Sequence, residues 1–529
     1  MSRTKQRYLN PMHSSTQNFW PAVFAIVLGT FMAVLDTSIV NVAIPEMMNV
    51  FRVSTDEIQW VVTIYTLTMA AVIPLSGYIG VRYGMKVSYL VSLLLFTLGS
   101  LFCGFAWSNG SMIAARIVQA MGGGLMMTIG QSMIQYVVPA EKMGPAMGVF
   151  GISVFVAPAI GPSLSGYFVE YLDWRLIFTV NIPFGLLALY LVWRFLPETS
   201  AEGNHRFDLP GFVYASVFLV TILLAFTKGE QEGWSSFYIV SLFLSALVSG
   251  VLFIQRELST SEPLVDIRLF ANRDFTIGVL VNSLIMAANF SVIYLLPIYS
   301  ENMLGKTAME TGLLLLPQAI ASGIVTPLSG MLAPKWGVKP FIITGIALCI
   351  LSGVGIAQID LHTDMNYITW LLVLRGVGMG LCLMTSMHIP LLAITDQSRI
   401  PAGSVITNVS RQMAISIGIA GLISYFYQRG ATHTVQLSET VTYKSVVTSE
   451  TLRHFIQMFS SKGFSSEEAH GMSLGLMEQL VRKYATIQAL QDSLAMAVIA
   501  FIVALALIFL IRERKISDAV SPKQSVPHE

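Results

Sequence analysis

Asp36 is the one ionisable residue in the first long apolar run of this 529-residue chain, WPAVFAIVLGTFMAVLDTSIVNVAIP (Trp20 to Pro45), and Asn41 follows it a little over one turn later. A carboxylate in hydrocarbon costs on the order of 2.5–3.5 kcal/mol on insertion scales, so such a residue faces a cavity or a partner. The chemistry open to it there is proton uptake and release. Arg116, in the fourth apolar run, is its candidate partner. Counted along each helix, Asp36 lies roughly 14 Å and Arg116 roughly 7 Å from the same outer surface, close enough to pair directly or through water. A nearby cation favours the ionised carboxylate and apolar burial favours the protonated one. A conformational change that alternates these surroundings lets Asp36 load a proton on one side and release it on the other. The plainer alternatives are a packing polar group at Asp36 and a structural ion pair or carbonyl clamp at Arg116.

Two more cations lie deep in apolar runs, Arg375 and Arg411, the latter in SRQMAISIGIA (Ser410–Ala420). Asp36 is the only acid placed firmly inside a helix. One acid among several arginines suits an anionic or weakly acidic amphipath at least as well as a lipophilic cation. His388, near the cytoplasmic end of its run, could join a proton path or simply be a satisfied interfacial histidine. Asn41, Tyr65, Gln119 and Asn408, together with Arg375, His388 and Arg411, are the expected lining of a substrate cavity.

The elements that position these residues are membrane helices. The chain is 54% hydrophobic and 12% charged, with a mean hydropathy of +0.67, where soluble domains carry about a quarter charged residues. A net charge of +1 points to no nucleic acid or polyanion partner. Cys103, Cys349 and Cys382 all sit in apolar runs and suggest neither a disulfide framework nor a metal site. The basic start (Arg3, Lys5, Arg7) precedes a run too long for a cleaved leader, with no small-residue cleavage site after it, so the first run is read as an uncleaved span.

Apolar runs of spanning length recur at about 20–45, 58–79, 87–107, 111–136, 145–168, 176–195, 209–227, 237–255, 275–298, 311–332, 340–358, 367–392, 403–427 and 493–511, which predicts about fourteen helices. Sixteen basic residues fall on the N-terminal side of the membrane and four (Arg52, Arg175, Lys228, Lys306) on the other, so both termini are expected in the cytoplasm. The connection from about 428 to 492 is longer than any other and faces outward. Within it, Ser465-Ser466-Glu467-Glu468 predicts a capping box opening an amphipathic helix through Met472, Leu476, Leu480 and Val481, and Thr451–Phe459 also has helical spacing. A small outer cap is expected there.

An internal repeat organises the runs. PLSGYIGVRYGMK (Pro74–Lys86) follows the second and PLSGMLAPKWGVK (Pro327–Lys339) the tenth. Arg116 precedes Gly122-Gly123-Gly124 much as Arg375 precedes Gly376, Gly378 and Gly380. The expected fold class is therefore all-α integral membrane, with a six-helix half at 1–200, two inserted helices at 201–260 and a second six-helix half at 261–529. Such halves, rocking about a midplane site, are how secondary transporters work. Pro158, Gly161, Pro162 and Gly166 in the fifth run suit a bend that must move, with static glycine packing as the alternative. No P-loop, nucleophile elbow, metal cluster or dinucleotide fingerprint is present, so no enzyme and no bound cofactor are expected, and a proton gradient is the expected energy source.

These motifs together resemble the major facilitator superfamily, and within it the fourteen-helix drug:proton antiporter branch of the EmrB/QacA type. The matching stretches are Leu35 to Pro45, Gly77 to Lys86 (with Gly77, Arg82, Gly84 and Lys86), Arg116-Ile117-Val118-Gln119 with the glycines after it, Ala157 to Gly166, Trp174-Arg175 through Phe178, Asn181 and Pro183, and Glu262 to Asp266 with Leu269-Phe270. The resemblance implies the major facilitator fold, proton-coupled export of drugs or amphipaths by alternating access, and no cofactor. Four positions depart from the family's pattern. Val81 stands where an acid is usual, Met85 where an arginine is, and Pro334 at the acidic place of the second copy, so the charges of the relatives' cytoplasmic latch are missing there. Ser165 replaces a common glycine. The outer connection, with HTVQLSETV (His433–Val441), resembles the EmrB side. That implies a Gram-negative inner membrane, a periplasmic adaptor (EmrA-like) and an outer-membrane channel (TolC-like). The QacA side, which works alone, is the alternative.

Overall fold

Ser54, Ser108, Thr307 and Ser465 each close a reciprocal capping box with the residue three positions on, and each opens a long helix. Apolar side chains then carry those helices across the bilayer. The computed structural model describes residues 19–139, 142–199, 207–260, 263–395, 399–441 and 446–511. Every regular element among them is helical.

An N-terminal group comprises α1 (Trp20–Phe51), α2 (Thr55–Val72), α3 (Leu75–Tyr83), α4 (Met85–Gly104), α5 (Asn109–Val137), α6 (Met143–Tyr171), α7 (Leu176–Thr179) and α8 (Asn181–Phe195). Then come α9 (Leu209–Glu232) and α10 (Phe237–Ser259), followed by a C-terminal group: α11 (Arg273–Pro297), α12 (Ala308–Trp336), α13 (Lys339–Ile356), α14 (Met365–Leu392), α15 (Ile400–Thr440), α16 (Val446–Ser461) and α17 (Ser466–Ile508). Twelve helices are long and apolar enough to span a membrane, and two bent pairs raise the number to as many as fourteen. The chain is a multi-pass membrane protein. Successive spans alternate between a near end, where α1 begins, and a far end, where it stops.

The two bent pairs are proline-marked. Between α2 and α3 the axis turns by 55° beside Pro74, and within α6 it turns by 42° between Pro145–Pro158 and Ile160–Tyr171, as expected of chain segments deprived of a backbone donor. The repeat is real at backbone level. Gly84 and Gly337, each after an aromatic residue, adopt φ 82°, ψ 145° and φ 87°, ψ 161°, a region open to glycine. Yet Pro327, the counterpart of Pro74, lies inside the continuous α12.

The two groups meet chiefly along α6 and α12. Gly148 lies against the Pro327 backbone, Gly151 against Thr326 and Met384, and, at the far end, Gly312 against Ser163 and Gly166 against Met309. Further near-end contacts come from Gly77 against Val405 and from Asn408 Nδ2, which donates to Gln131 Oε1 at 2.9 Å. The α9 helix straddles both groups. Ser216 donates to the Ala71 carbonyl at 3.0 Å, and Trp234 Nε1, in the turn just after α9, to Ser424 Oγ at 3.0 Å.

The far end differs from the sequence expectation in its helix limits. Rather than stopping at 427, α15 runs 41 residues, and α17 starts at Ser466 and runs 43, each about 60 Å at 1.5 Å per residue. Hydropathy marks where the bilayer ends; the helix persists because its next turns pack on a neighbour. Arg429 Nε and His433 Nε2 both meet Asp492 Oδ2, at 2.6 and 2.8 Å, and tie the two extensions together. The Ser465–Glu468 capping box is present and α16 packs on α17, so the outer cap is three helices. Lys228, read as a loop residue, is buried in the last turns of α9, where its Nζ donates to Gln231 Oε1 at 2.9 Å.

Candidate functional site

Asp36 is 0% exposed and Arg116 1%. The carboxylate is met on both oxygens: Arg116 Nη1 donates to Oδ2, and Gln119 Nε2 to Oδ1 at 2.8 Å. Around this pair the network closes. Arg116 Nη1 also donates to Gln119 Oε1 at 2.8 Å and Nε to the Val61 carbonyl at 3.1 Å, while Gln119 Nε2 also donates to Ser100 Oγ at 2.8 Å. The guanidinium lies over the Tyr65 ring at 3.9 Å and faces Phe178 at 5.7 Å. The Tyr65 hydroxyl in turn donates to the Ala33 carbonyl at 3.2 Å. Four helices, α1, α2, α4 and α5, therefore converge on one buried charge pair.

Glycine spacing brings them that close. A Cβ at Gly99 on α4 would collide with the Gln119 backbone, and one at Gly122 on α5 with the backbone of Ser92 and Phe96. At Gly123 it would come 2.9 Å from the Tyr65 hydroxyl. The proline-marked bend of α6 also bears on this place, because Gly161 packs against Ser38, two residues from Asp36. A buried pair held this way is costly to break by removing one member. Protonating Asp36 removes the charge that holds Arg116 and leaves helix contacts free to change.

The other sequence-derived residues fall in different places. Tyr65 and Gln119 belong to the Asp36 network, as above. Asn41 lies on an exposed stripe of α1 with Thr37 and Pro45, a little over one turn beyond the buried Asp36. Arg375 is 0% exposed and away from Asp36, between α11 and α17. Its Nη2 donates to the Ala288 carbonyl at 3.3 Å and its guanidinium faces Phe501 at 5.4 Å. Asn408 and Arg411 share one face of α15, and Arg411 Nη1 lies 3.9 Å from Met387 Sδ on α14, the residue next to His388. Gly77 lines a near-end crevice with Val81, Met85 and Val405. Apolar side chains therefore fill the departure positions of the signature loop. Gly84, Arg82 and Lys86 lie at that same turn, where Met85 N donates to Thr199 Oγ1 at 2.6 Å.

The sequence pattern of the Major Facilitator Superfamily matches residues 26–419. The chain belongs to this superfamily. Its members are membrane transporters rather than enzymes. Among relatives, the chain is similar to the uncharacterized MFS-type transporter YhcA of Bacillus subtilis (strain 168), 30% identical over 80% of both chains. It is likewise similar to the riboflavin transporter RibZ of Clostridioides difficile (strain 630), 30% identical over 77% of this chain and 88% of that one. The multidrug resistance protein Stp of Mycobacterium tuberculosis (strain CDC 1551 / Oshkosh) is 31% identical over 76% and 74%. In fold it is similar to the human organic anion transporter MFSD10 (TM-score 0.61, 10% identity, covering 92% of this chain and 100% of that one).

Three members of the Asp36 network escaped the sequence reading as site residues. Ser100 and Cys103 on α4 and Phe178 on α7 complete the Asp36 network, with Cys103 Sγ donating to Gln119 Oε1 at 3.6 Å. The Gly99-Ser100 step, a small residue beside a hydroxyl on α4, was the available signal for the first.

Proposed function

We propose that this protein is a proton-driven exporter of hydrophobic or amphipathic toxic compounds that works by alternating access. The observation that carries the reading is the enclosed Asp36–Arg116–Gln119 network on four helices. Proton uptake at Asp36 releases Arg116, and the α1–α6 contact at Ser38 and Gly161 transmits the change to the interface between the two groups. Multidrug relatives such as Stp support this reading.

In this proposal both termini are cytoplasmic in a bacterial inner membrane, as the basic-residue bias supports. The far-end cap of α15, α16 and α17 then faces a periplasmic adaptor (EmrA-like) that leads to an outer-membrane channel (TolC-like), on the EmrB side of the EmrB/QacA branch. Residues 1–200 and 261–529 are the rocking halves, and 201–260 the insert.

The second reading is a dedicated exporter of one metabolite, favoured by the riboflavin transporter RibZ among the relatives. Proteoliposomes separate the two. A proton flux evoked by several unrelated amphipaths is expected for the first reading, a flux evoked by one compound class for the second. No substrate-evoked flux at all would overturn proton-coupled export.

A further inference from the structure

Ser404, Thr407, Asn408 and Arg411 recur at i, i+3, i+4 and i+7 on α15, and all four are buried. They form a polar stripe on one helix face. Two of the four are satisfied through their side chains, while Ser404 Oγ has no hydrogen-bond partner among the described residues. Thr407 Oγ1 donates to the Gly403 carbonyl at 2.8 Å, and Asn408 Nδ2 to the Ser404 carbonyl at 3.0 Å and to Gln131 Oε1 of the N-terminal group at 2.9 Å. Arg411 is different. It makes no ion pair among the described residues, and its guanidinium meets the Met387 thioether at 3.9 Å. A thioether is a weak acceptor and a guanidinium carries five donors.

Its position sets Arg411 apart from the other two deep arginines. Arg116 has the Asp36 carboxylate, and Arg375 is sealed at 0% exposure behind Ala288 and Phe501. Arg411 keeps 7% exposure and lies one turn beyond the Asn408–Gln131 bridge that joins the two groups. Eleven residues from the start of α15 place it about 17 Å in, near the middle of the bilayer. A cation there needs a counter-charge, and none stands beside it among the described residues. Its neighbour on α14 is Met387, with Met384 one turn away along the same helix, and methionines are flexible side chains that accommodate apolar bodies of varied shape.

We propose that Arg411 receives the anionic group of the transported compound, so that the substrate class is the acidic amphipath: a carboxylate or comparable acid on an apolar body. The inference deepens the export reading and rests on it. Binding exchanges the Met387 contact for a charge-assisted hydrogen bond, while the apolar body lies against the methionines.

The test uses the full chain in nanodiscs and two probes of matched shape, 11-(dansylamino)undecanoic acid and its primary amide, with fluorescence titration as the readout. The wild type is expected to bind the acid at least tenfold more tightly than the amide. Arg411→Met and Arg411→Gln should each bring the two probes to within about twofold, and Arg411→Lys should keep several-fold preference. Using two uncharged variants guards against misfolding of one. Equal binding of acid and amide by the wild type, binding of neither, or a preference that survives both Arg411→Met and Arg411→Gln would overturn the assignment. Proton flux with each probe in liposomes is scored separately. A retained acid preference without any coupled flux would sink the export reading and leave the Arg411 site standing.

Discussion

Arg116 and Arg375 occupy matching turns of α5 and α14, each donating to a backbone carbonyl of a neighbouring span and each facing a phenylalanine, Phe178 at 5.7 Å or Phe501 at 5.4 Å. Only Arg116 has a carboxylate beside it. Nε and Nη1 of Arg375 have no hydrogen-bond partner among the described residues. The cation recurs in both groups, whereas among the described residues a carboxylate pairs with it in one. In the proposed exporter, this asymmetry puts coupling on the Asp36 side.

Asp36→Asn tests that assignment. The amide keeps the shape and one acceptor for Gln119, but it cannot titrate. Export driven by a pH gradient should be lost, whereas energy-independent exchange of substrate persists. The variant also leaves Arg116 unpaired, which costs about 3–5 kcal/mol in comparable buried pairs. The double variant Asp36→Asn/Arg116→Gln should regain much of the lost thermal stability without regaining coupling. Gradient-driven export at the wild-type level in Asp36→Asn would remove this residue from the mechanism.

Arg116→Ala should move the pH profile of transport upward, because a carboxylate without its cation holds a proton to higher pH. Arg116→Lys should move it less, since an ammonium supplies charge but not the fork that spans Asp36, Gln119 and the Val61 carbonyl. Transport measured across a pH series in proteoliposomes decides it. An unchanged profile with less folded protein would favour a purely structural pair.

Helix approach at the site depends on Gly122, whereas Gly421 on α15 holds no helix close. Gly122→Ala would push a methyl into the backbone of Ser92 and Phe96, where neither helix can yield cheaply, so a loss of about 1–3 kcal/mol is expected. Gly421→Ala, in α15 with no atom within 4 Å of a new Cβ, should be neutral or stabilise by about 0.5–1 kcal/mol. Thermal melting of the two variants, side by side, checks the contrast.

Some of this was legible from residue types and some was not. Depth counting brought Asp36 and Arg116 into the same outer half because helix rise is fixed and the two spans run in opposite directions. The Ser465–Glu468 capping box was legible for a similar reason, being a purely local rule. The attachment of Gln119 to both Asp36 and Ser100 was not, since it depends on how far Gly99 lets α4 approach α5. Hydropathy also misplaced the ends of α15 and α17. It reports lipid contact, and the turns past Tyr427 are held instead by Arg429, His433 and Asp492.

The Asn408–Gln131 bridge joins the two groups near one end, so alternating access requires it to break. With Cys103, Cys349 and Cys382 replaced by serine or alanine, Asn408→Cys and Gln131→Cys placed together should crosslink under oxidation. The crosslink should stop transport, and reductant should restore it. Full transport by the crosslinked protein would show that this end need not open.

The three-helix cap answers a different question, whether the transporter acts alone. Excising α16 by joining Thr440 to Ser465 through a Gly/Ser linker leaves α15, α17 and their Arg429–Asp492–His433 tie in place. Closure of such a loop depends only logarithmically on its length, so insertion and proton-coupled transport in liposomes should survive. In cells the outcome depends on what the cap touches. Met472 and Leu474 on α17 are exposed at 42% and 41%, a placement suited to a periplasmic partner rather than to packing on the transporter itself. Drug resistance should then fall to the level of a deletion strain while liposome transport stays intact, and photocrosslinks from position 472 should capture the adaptor. Full cellular resistance after excision, with no crosslinked partner, would place this protein among transporters that work alone.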